Sequence, residues 1–340
     1  MNTSKFIEED PICIPHQFSK KEDIEIIGFL IATIAWGKRQ MIIKNGEKLV
    51  DIMGGQPHDF ILNASKSELK DFLSQLKIAK KSIGFVPTMG ALHQGHLSLV
   101  KKAKKKNDIT VVSIFVNPTQ FDNKDDLEKY PKTYENDVAL LESVDCDILF
   151  FPAVEEIYSK KIDAESFNFD GLEHQMEGKF RDGHFDGVGT IVKKLFEIVT
   201  PDNAYFGKKD FQQLQIIKKM GERHYIPVKI KGCDIFREAD GLAMSSRNTR
   251  LTKKHRETAP FIYKTLKKAK KKFGTKNATE VTKWVQKKFA KHPVVELEYV
   301  TRANEITLET VSKKEKKQKY RAFIAVFAGD IRLIDNISLK

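Results

Sequence analysis

The chain has 340 residues, 41 % of them apolar, with a formal net charge of +13 and a pI near 9.3. That is enough chain for two or three domains around a sizeable buried core, and the composition is that of an ordinary globular protein. Three cysteines, Cys13, Cys146 and Cys233, lie far apart without a CxxC pair, which excludes a disulfide framework and a cysteine zinc site and fits a reducing cytoplasm.

The first residues, "MNTSKFIEEDP", contain no apolar core of a signal peptide. "DPICIPHQF" reads as extended, proline-punctuated chain. "SKKEDIEIIGFLIATIAWG" predicts a helix with Ser19 as its cap and Gly37 as its stop. Its apolar run at 26–36 is about half of the ~20 residues that span a bilayer, so it predicts a buried helix and no membrane partner. "KRQMIIKNGEKLVDIMGG" predicts a second helix ending at Gly54-Gly55, and "PHDFILNA" leads onward. Two helices are too little for a core of their own, so residues 1–62 should pack on something else.

From residue 64 helices and strands alternate. The predicted strands are "SIGFVPT", "DITVVSIFVNP", "CDILFFP", "NAYFG" and "IPVKIKG". Amphipathic helices separate them: "QGHLSLVKKAKKKN", "TYENDVALLESVD", "GVGTIVKKLFEIVTP" and "KDFQQLQIIKKMGER", with "SKSELKDFLSQLKIAKK" in front. Continuous apolar strands in this alternation imply a parallel sheet covered on both faces, which binds ligands at its carboxyl edge. The pattern changes again near 253. Two lysine-rich helices, "TKKHRETAPFIYKTLKKAKKKFG" and "NATEVTKWVQKKFAKH", are followed by the strands "VVELEYVT", "KYRAFIAVFAG" and "IRLIDNI", a small α+β unit. The expected division is therefore 1–62, 63–250 and 251–340. The lysine runs at 101–106 and 267–272 lack interleaved aromatics and read as solvated helix faces, not as a nucleic-acid groove.

Neither GxGxxG nor GxxxxGK[ST] occurs. The first strand is instead followed by "TMGALHQGH". Small residues at such a turn allow close approach to the backbone, and the helix N-terminus that follows suits phosphate. His93 and His96 could donate to phosphate oxygens. Their spacing alone also admits a pair of core or metal histidines, although no third ligand cluster stands near.

The longer blocks narrow the choice. "PTMGALHQGH" resembles the HxGH signature of nucleotidylyl transferases and class I aminoacyl-tRNA synthetases. With "SIFVNPTQF", "EKYPKT", "EGKFRDGHFDGVGTIVKKLF", "YFGKKDFQQLQ" and "READGLAMSSRN", the stretch 64–340 is similar to the pantoate–beta-alanine ligase family. The resemblance implies an α/β fold, a Rossmann-like parallel sheet of the HxGH nucleotidylyl transferase type with a smaller α+β C-terminal domain. Here it would carry a short helical N-terminal extension. It implies a cytoplasmic homodimer that condenses pantoate with beta-alanine, using ATP and Mg²⁺, through pantoyl adenylate. The enzymatic alternative is another small-molecule HxGH transferase. Residues 1–62 resemble the start of an uncharacterised bacterial helical domain family.

Site roles follow from the same resemblance. Met89, Gly90, Ala91, Leu92, His93, Gln94, Gly95 and His96 would line the ATP site, with His96 as proton donor. Gln120 and Gln213 would hold pantoate. Gly207, Lys208, Lys209 and Asp210 would meet phosphates and ribose. Met244, Ser245, Ser246 and Arg247 would form a loop over the phosphates, and Phe236 would lie at the adenine. His93, His96, Lys209 and Arg247 are the expected catalytic set, and Asp137 is the expected metal contact. Three positions depart from the family pattern: Asp182 stands for proline, Lys208 for an acid or amide, and Phe236 for valine. Asp182 would place a negative charge near the triphosphate.

Overall fold

A computed structural model describes residues 4–57, 65–121, 127–128, 130–158, 161–313, 315 and 317–339. Strands β1 (Ile83–Thr88), β2 (Ile109–Ile114), β3 (Ile148–Phe150), β4 (Asn203–Gly207) and β5 (Lys229–Cys233) form a wholly parallel sheet of order β3-β2-β1-β4-β5. Every residue of β2 is buried, as a strand covered on both faces requires. The order reverses between β1 and β4. Such a reversal opens a crevice at the carboxyl edge, because the connections leave the two strands in opposite directions. The last strand starts later than its apolar pattern suggested, at Lys229. Pro227 cannot donate to a ladder, so pairing begins beyond it.

The second sheet is antiparallel, order β6-β7-β8, from β6 (Glu296–Asn304), β7 (Tyr320–Ala328) and β8 (Ile331–Leu339). The helices Phe261–Phe273 and Ala278–Ala290 back it. Ile262, Leu266, Ala269 and Phe273 fall on one stripe and join the core of this sheet, while Lys264, Lys267, Lys268 and Lys271 stay exposed. The expected single helix across 253–273 is broken into Lys253–Thr258 and Phe261–Phe273. Pro260 lies between them, and its ring and missing N–H cannot continue a helix.

The N-terminal helices are Lys21–Ile34 and Arg39–Ile52. Ser19 is not the cap: Lys20 occupies that position, with no side-chain cap hydrogen bond. The two helices cross closely at Gly46, where an added Cβ would lie 2.4 Å from Ile31 Cδ1. Ile14, Ile27 and Leu49 join one continuous core with Leu69, Phe72, Leu73 and Leu76 of the helix Lys66–Ile78 and with Phe85 and Val111 of the sheet. The extension is therefore docked on the α/β unit. The segment "PHDFILNA" lies largely outside the described residues.

Candidate active site

The carboxyl end of β1 is built by its own side chains. Thr88 Oγ1 donates to Ser113 O on β2 (2.8 Å) and accepts from Gly90 N (3.2 Å). The chain then turns through two left-handed residues, Gly90 at φ +80° and Ala91 at φ +49°. A non-glycine residue rarely adopts that conformation unless its surroundings hold it. Asp137 does the holding. Its buried carboxylate accepts from Ala91 N (2.9 Å), Leu92 N (2.7 Å) and Thr133 Oγ1 (3.1 Å). Both oxygens brace the turn, and Asp137 does not line the cavity described below.

The helix Gln94–Lys104 begins with a reciprocal cap made by the histidines. Gly95 N donates to His93 Nδ1 (3.1 Å), and His93 N donates to His96 Nδ1 (3.3 Å). The rings stack with centroids 4.0 Å apart. Gly95 is required for this, since a Cβ there would lie 2.8 Å from His93 Cε1. An Nδ1 that accepts an N–H carries no proton, so each neutral ring is the Nε2–H tautomer. Burial, followed by the Lys209 charge, pulls the pKa of His93 down to about 4. Burial, His93 and Lys209 pull His96 down to about 3. The pair is thus uncharged at neutral pH and offers hydrogen bonds, not cations. In the free protein His96 therefore carries a single ring N–H, on Nε2, and is not an imidazolium.

The sign of the linkage follows. Below about pH 6.5 the unfolded chain binds protons that these folded rings refuse, so stability rises with pH in the window from about 4 to 6.5. Melting curves should show the wild type losing stability between about pH 7 and pH 5, and a His93→Gln/His96→Gln protein losing less. Equal losses would contradict the assignment.

Across the switch point, Gly207 ends β4 and the turn Lys208–Asp210 leads into the helix Phe211–Arg223. One cavity of about 760 Å³ lies between this turn and the histidines, within the range of small-ligand sites. It brings together Met89, His93, Gly95, His96, Gln120, Gly207, Lys209, Asp210, Gln213, Phe236, Met244, Ser245, Ser246 and Arg247. Gly90, Ala91, Leu92, Gln94 and Lys208 do not line it. Gly90 to Leu92 shape the turn, and Lys208 Nζ instead pairs with Asp234 Oδ1 at 2.6 Å. Asp182 is exposed and does not itself line the cavity, although its neighbour Arg181 does. Phe236 O accepts from Met244 N (3.0 Å), and the Phe236 ring is substantially exposed.

Gln120 closes the short 3₁₀ turn Pro118–Gln120. Its carbonyl faces Arg181 Nη2 (3.1 Å) and His184 Nδ1 (3.0 Å) of the "FRDGHF" block. The helix His184–Val199 approaches this turn so closely that a Cβ on Gly187 would lie 2.1 Å from Thr119 O. Gln212, next to Gln213, is spent on structure: its amide donates to Leu172 O and Gln175 O, both at 2.8 Å, and accepts from Glu177 N at 3.0 Å.

The second sheet supplies a wall of the cavity that pattern reading did not find. Arg332 of β8 reaches Glu177 (2.5 Å) and Glu298 (2.6 Å), and Tyr299 donates to Glu177 (2.7 Å). These partners hold the Glu177 carboxyl below its ordinary pKa, against the opposing effect of burial. Asp335 and Asn336 of β8 also face the cavity. Charged and amide residues inside the otherwise apolar strand "IRLIDNI" were the available signal, since buried polar groups need partners.

A doubly wound parallel sheet, with an HxGH cap after its first strand and a lysine turn across the switch point, defines an HxGH-type nucleotide-binding enzyme. The family model for pantoate-beta-alanine ligase matches residues 62–338, and the chain belongs to that family. It is 58 % identical over 281 residues to the pantothenate synthetase of Flavobacterium psychrophilum, covering 82 % of this chain and 100 % of that one. It is 54 % identical to the pantothenate synthetase of Christiangramia forsetii, over 81 % of this chain and 98 % of the relative. Among solved structures, it superposes on the pantothenate synthetase of Thermus thermophilus with a TM-score of 0.75 at 36 % identity, covering 82 % and 98 % of the two chains. The Francisella tularensis pantoate-beta-alanine ligase, complexed with beta-gamma ATP and beta-alanine, gives 0.67 at 37 % identity, covering 81 % and 96 %.

Proposed function

We infer that this chain condenses pantoate with β-alanine in an ATP-dependent reaction that yields pantothenate, AMP and pyrophosphate. The observation that carries the reading is that Gln120, Gln213, both histidines and Lys209 line a single cavity. A carboxylate oxygen of pantoate attacks the α-phosphorus, and the bond to the β-phosphate oxygen breaks. The amine of β-alanine then attacks the acyl carbon of pantoyl adenylate, the bond to AMP breaks, and the amine proton leaves to solvent.

No protein nucleophile is needed, and the chain's work is positioning and charge stabilisation. His93 and His96 donate through Nε2–H to phosphate oxygens. Lys209 neutralises the leaving pyrophosphate, and Asp210 meets the ribose. Met244 to Arg247 cover the phosphates, with Arg247 as their cation. Gln120 and Gln213 hold pantoate from two sides. Magnesium enters with ATP as its complex: among the described residues no group of three His, Cys, Asp or Glu could hold a metal, and Mg²⁺ favours phosphate and water oxygens. Residues 63–250 supply the sheet site and 251–340 the covering wall, and 1–62 serve as a docked extension. Family resemblance supports a cytoplasmic homodimer. No helix among the described residues is long and apolar enough to cross a membrane.

The test is pyrophosphate exchange into ATP. Exchange should require both pantoate and Mg²⁺, and chelation should abolish it. Exchange stimulated equally by unrelated acids would favour a different HxGH transferase, and no exchange with any acid would reject the adenylation reading.

A further inference from the structure

We propose that Asp335 and Asn336, adjacent residues of β8, are positioning residues that hold both phosphate-facing segments of the adenylation site. Asp335 reaches the hairpin at Arg237 and Asn336 the turn at Lys208–Lys209, so one strand serves two segments at once. Asn336 Nδ2 donates to Lys208 O (2.9 Å) and Lys209 O (2.8 Å), the backbone of the turn that carries the Lys209 ammonium. Asp335 takes the Arg237 guanidinium on both oxygens, at 2.8 and 2.9 Å. Arg237 also donates to Gly241 O (3.1 Å) and pairs by a backbone bridge with Ala243. It thereby fixes the hairpin that runs directly into Met244–Arg247. The face of Tyr263 covers the guanidinium, with Cζ 3.5 Å from the ring centroid.

The amide orientation of Asn336 is determined by its neighbours. Arg321 Nη1 donates to Asn336 Oδ1 (2.6 Å), and a guanidinium has no acceptor, so the NH₂ group must face the two carbonyls. Asp335 and Asn336 are only 4 % and 2 % exposed. Hydrogen bonds this deeply buried lose little to water and set the backbone geometry they grip. Their side chains bond Arg237, Arg321 and the backbone of the turn, so the proposed role is exercised through Lys209 and through Met244–Arg247. The proposal rests on the adenylation reading above.

The test separates the two half-reactions. Asn336→Asp keeps size and the Arg321 contact but presents an oxygen where the carbonyls need donors. Asn336→Ser is neutral and too short to reach them. In both variants pantoate-dependent pyrophosphate exchange should fall about tenfold or more, with a raised KM for ATP. Aminolysis of supplied pantoyl adenylate at saturation, which no longer involves the leaving pyrophosphate, should stay within about twofold. An equal fall in both half-reactions, unchanged exchange, or insolubility of both variants would each overturn the assignment and leave the dipeptide a structural element. Absence of exchange in the wild type would instead reject the functional reading itself.

Discussion

His96→Ala should lower pantoate-dependent pyrophosphate exchange by about 10²- to 10³-fold, the usual worth of one preorganised donor at developing phosphate charge. Alanine removes two things at once, because the same ring caps the helix through Nδ1 and presents Nε2–H to the cavity. Two further substitutions separate them. In His96→Asn the amide oxygen can stand where Nδ1 stands, so the cap survives and the cavity donor is lost. In His96→Gln the amide nitrogen can reach toward the Nε2 position, and the cap is lost. The phosphate role predicts that Asn is as damaging as Ala and that Gln retains more exchange than either. The opposite ranking would make His96 a capping residue and leave the phosphate contact to His93.

The second large effect concerns residues 1–62. Their removal strips cover from Leu69, Phe72, Leu73 and Leu76, which share one core with Ile14, Ile27 and Leu49. Re-exposing even part of that face costs a few kcal/mol, enough to lower Tm by roughly 10 °C in a protein of this size. No described residue of the extension lines the cavity. The F. psychrophilum relative is matched over its whole length by 281 residues of this chain. The truncated protein should therefore melt earlier and be less soluble, while kcat of the folded fraction stays within about twofold. A large fall in kcat with unchanged Tm would show that the extension acts on catalysis.

Much of the sheet was legible because its strands are short, largely apolar and separated by helices with one apolar stripe. Each of those features has a single structural solution. The HxGH turn was legible as a site through its lack of bulk: Gly90 adopts a left-handed conformation, and Gly95 makes room for the His93 ring. Illegible were the contacts that require the fold to be known. Asp137 was expected as a metal contact from the family resemblance, whereas its oxygens accept from the backbone of the turn. Lys208 was expected beside Lys209 in the ATP site, yet neighbouring residues in a turn diverge, and of the two only Lys209 lines the cavity. Asp335, Asn336 and Arg332 were legible only as members of a strand. Their importance comes from partners more than ninety residues away in sequence.

That separation sets an order of events during synthesis. The parallel sheet has all its strands once residue 233 has left the ribosome. The turn bearing Lys209 is then in place but ungripped, for the amide that grips Lys208 lies 128 residues further on. Domains fold as their chain emerges, so a nascent sheet with its HxGH cap complete would exist for a time beside a loose lysine turn. Such an intermediate has the histidines and the lysine turn without the wall that β8 supplies. The grip of Asn336 on the lysine turn is thus among the last contacts of the cavity to form.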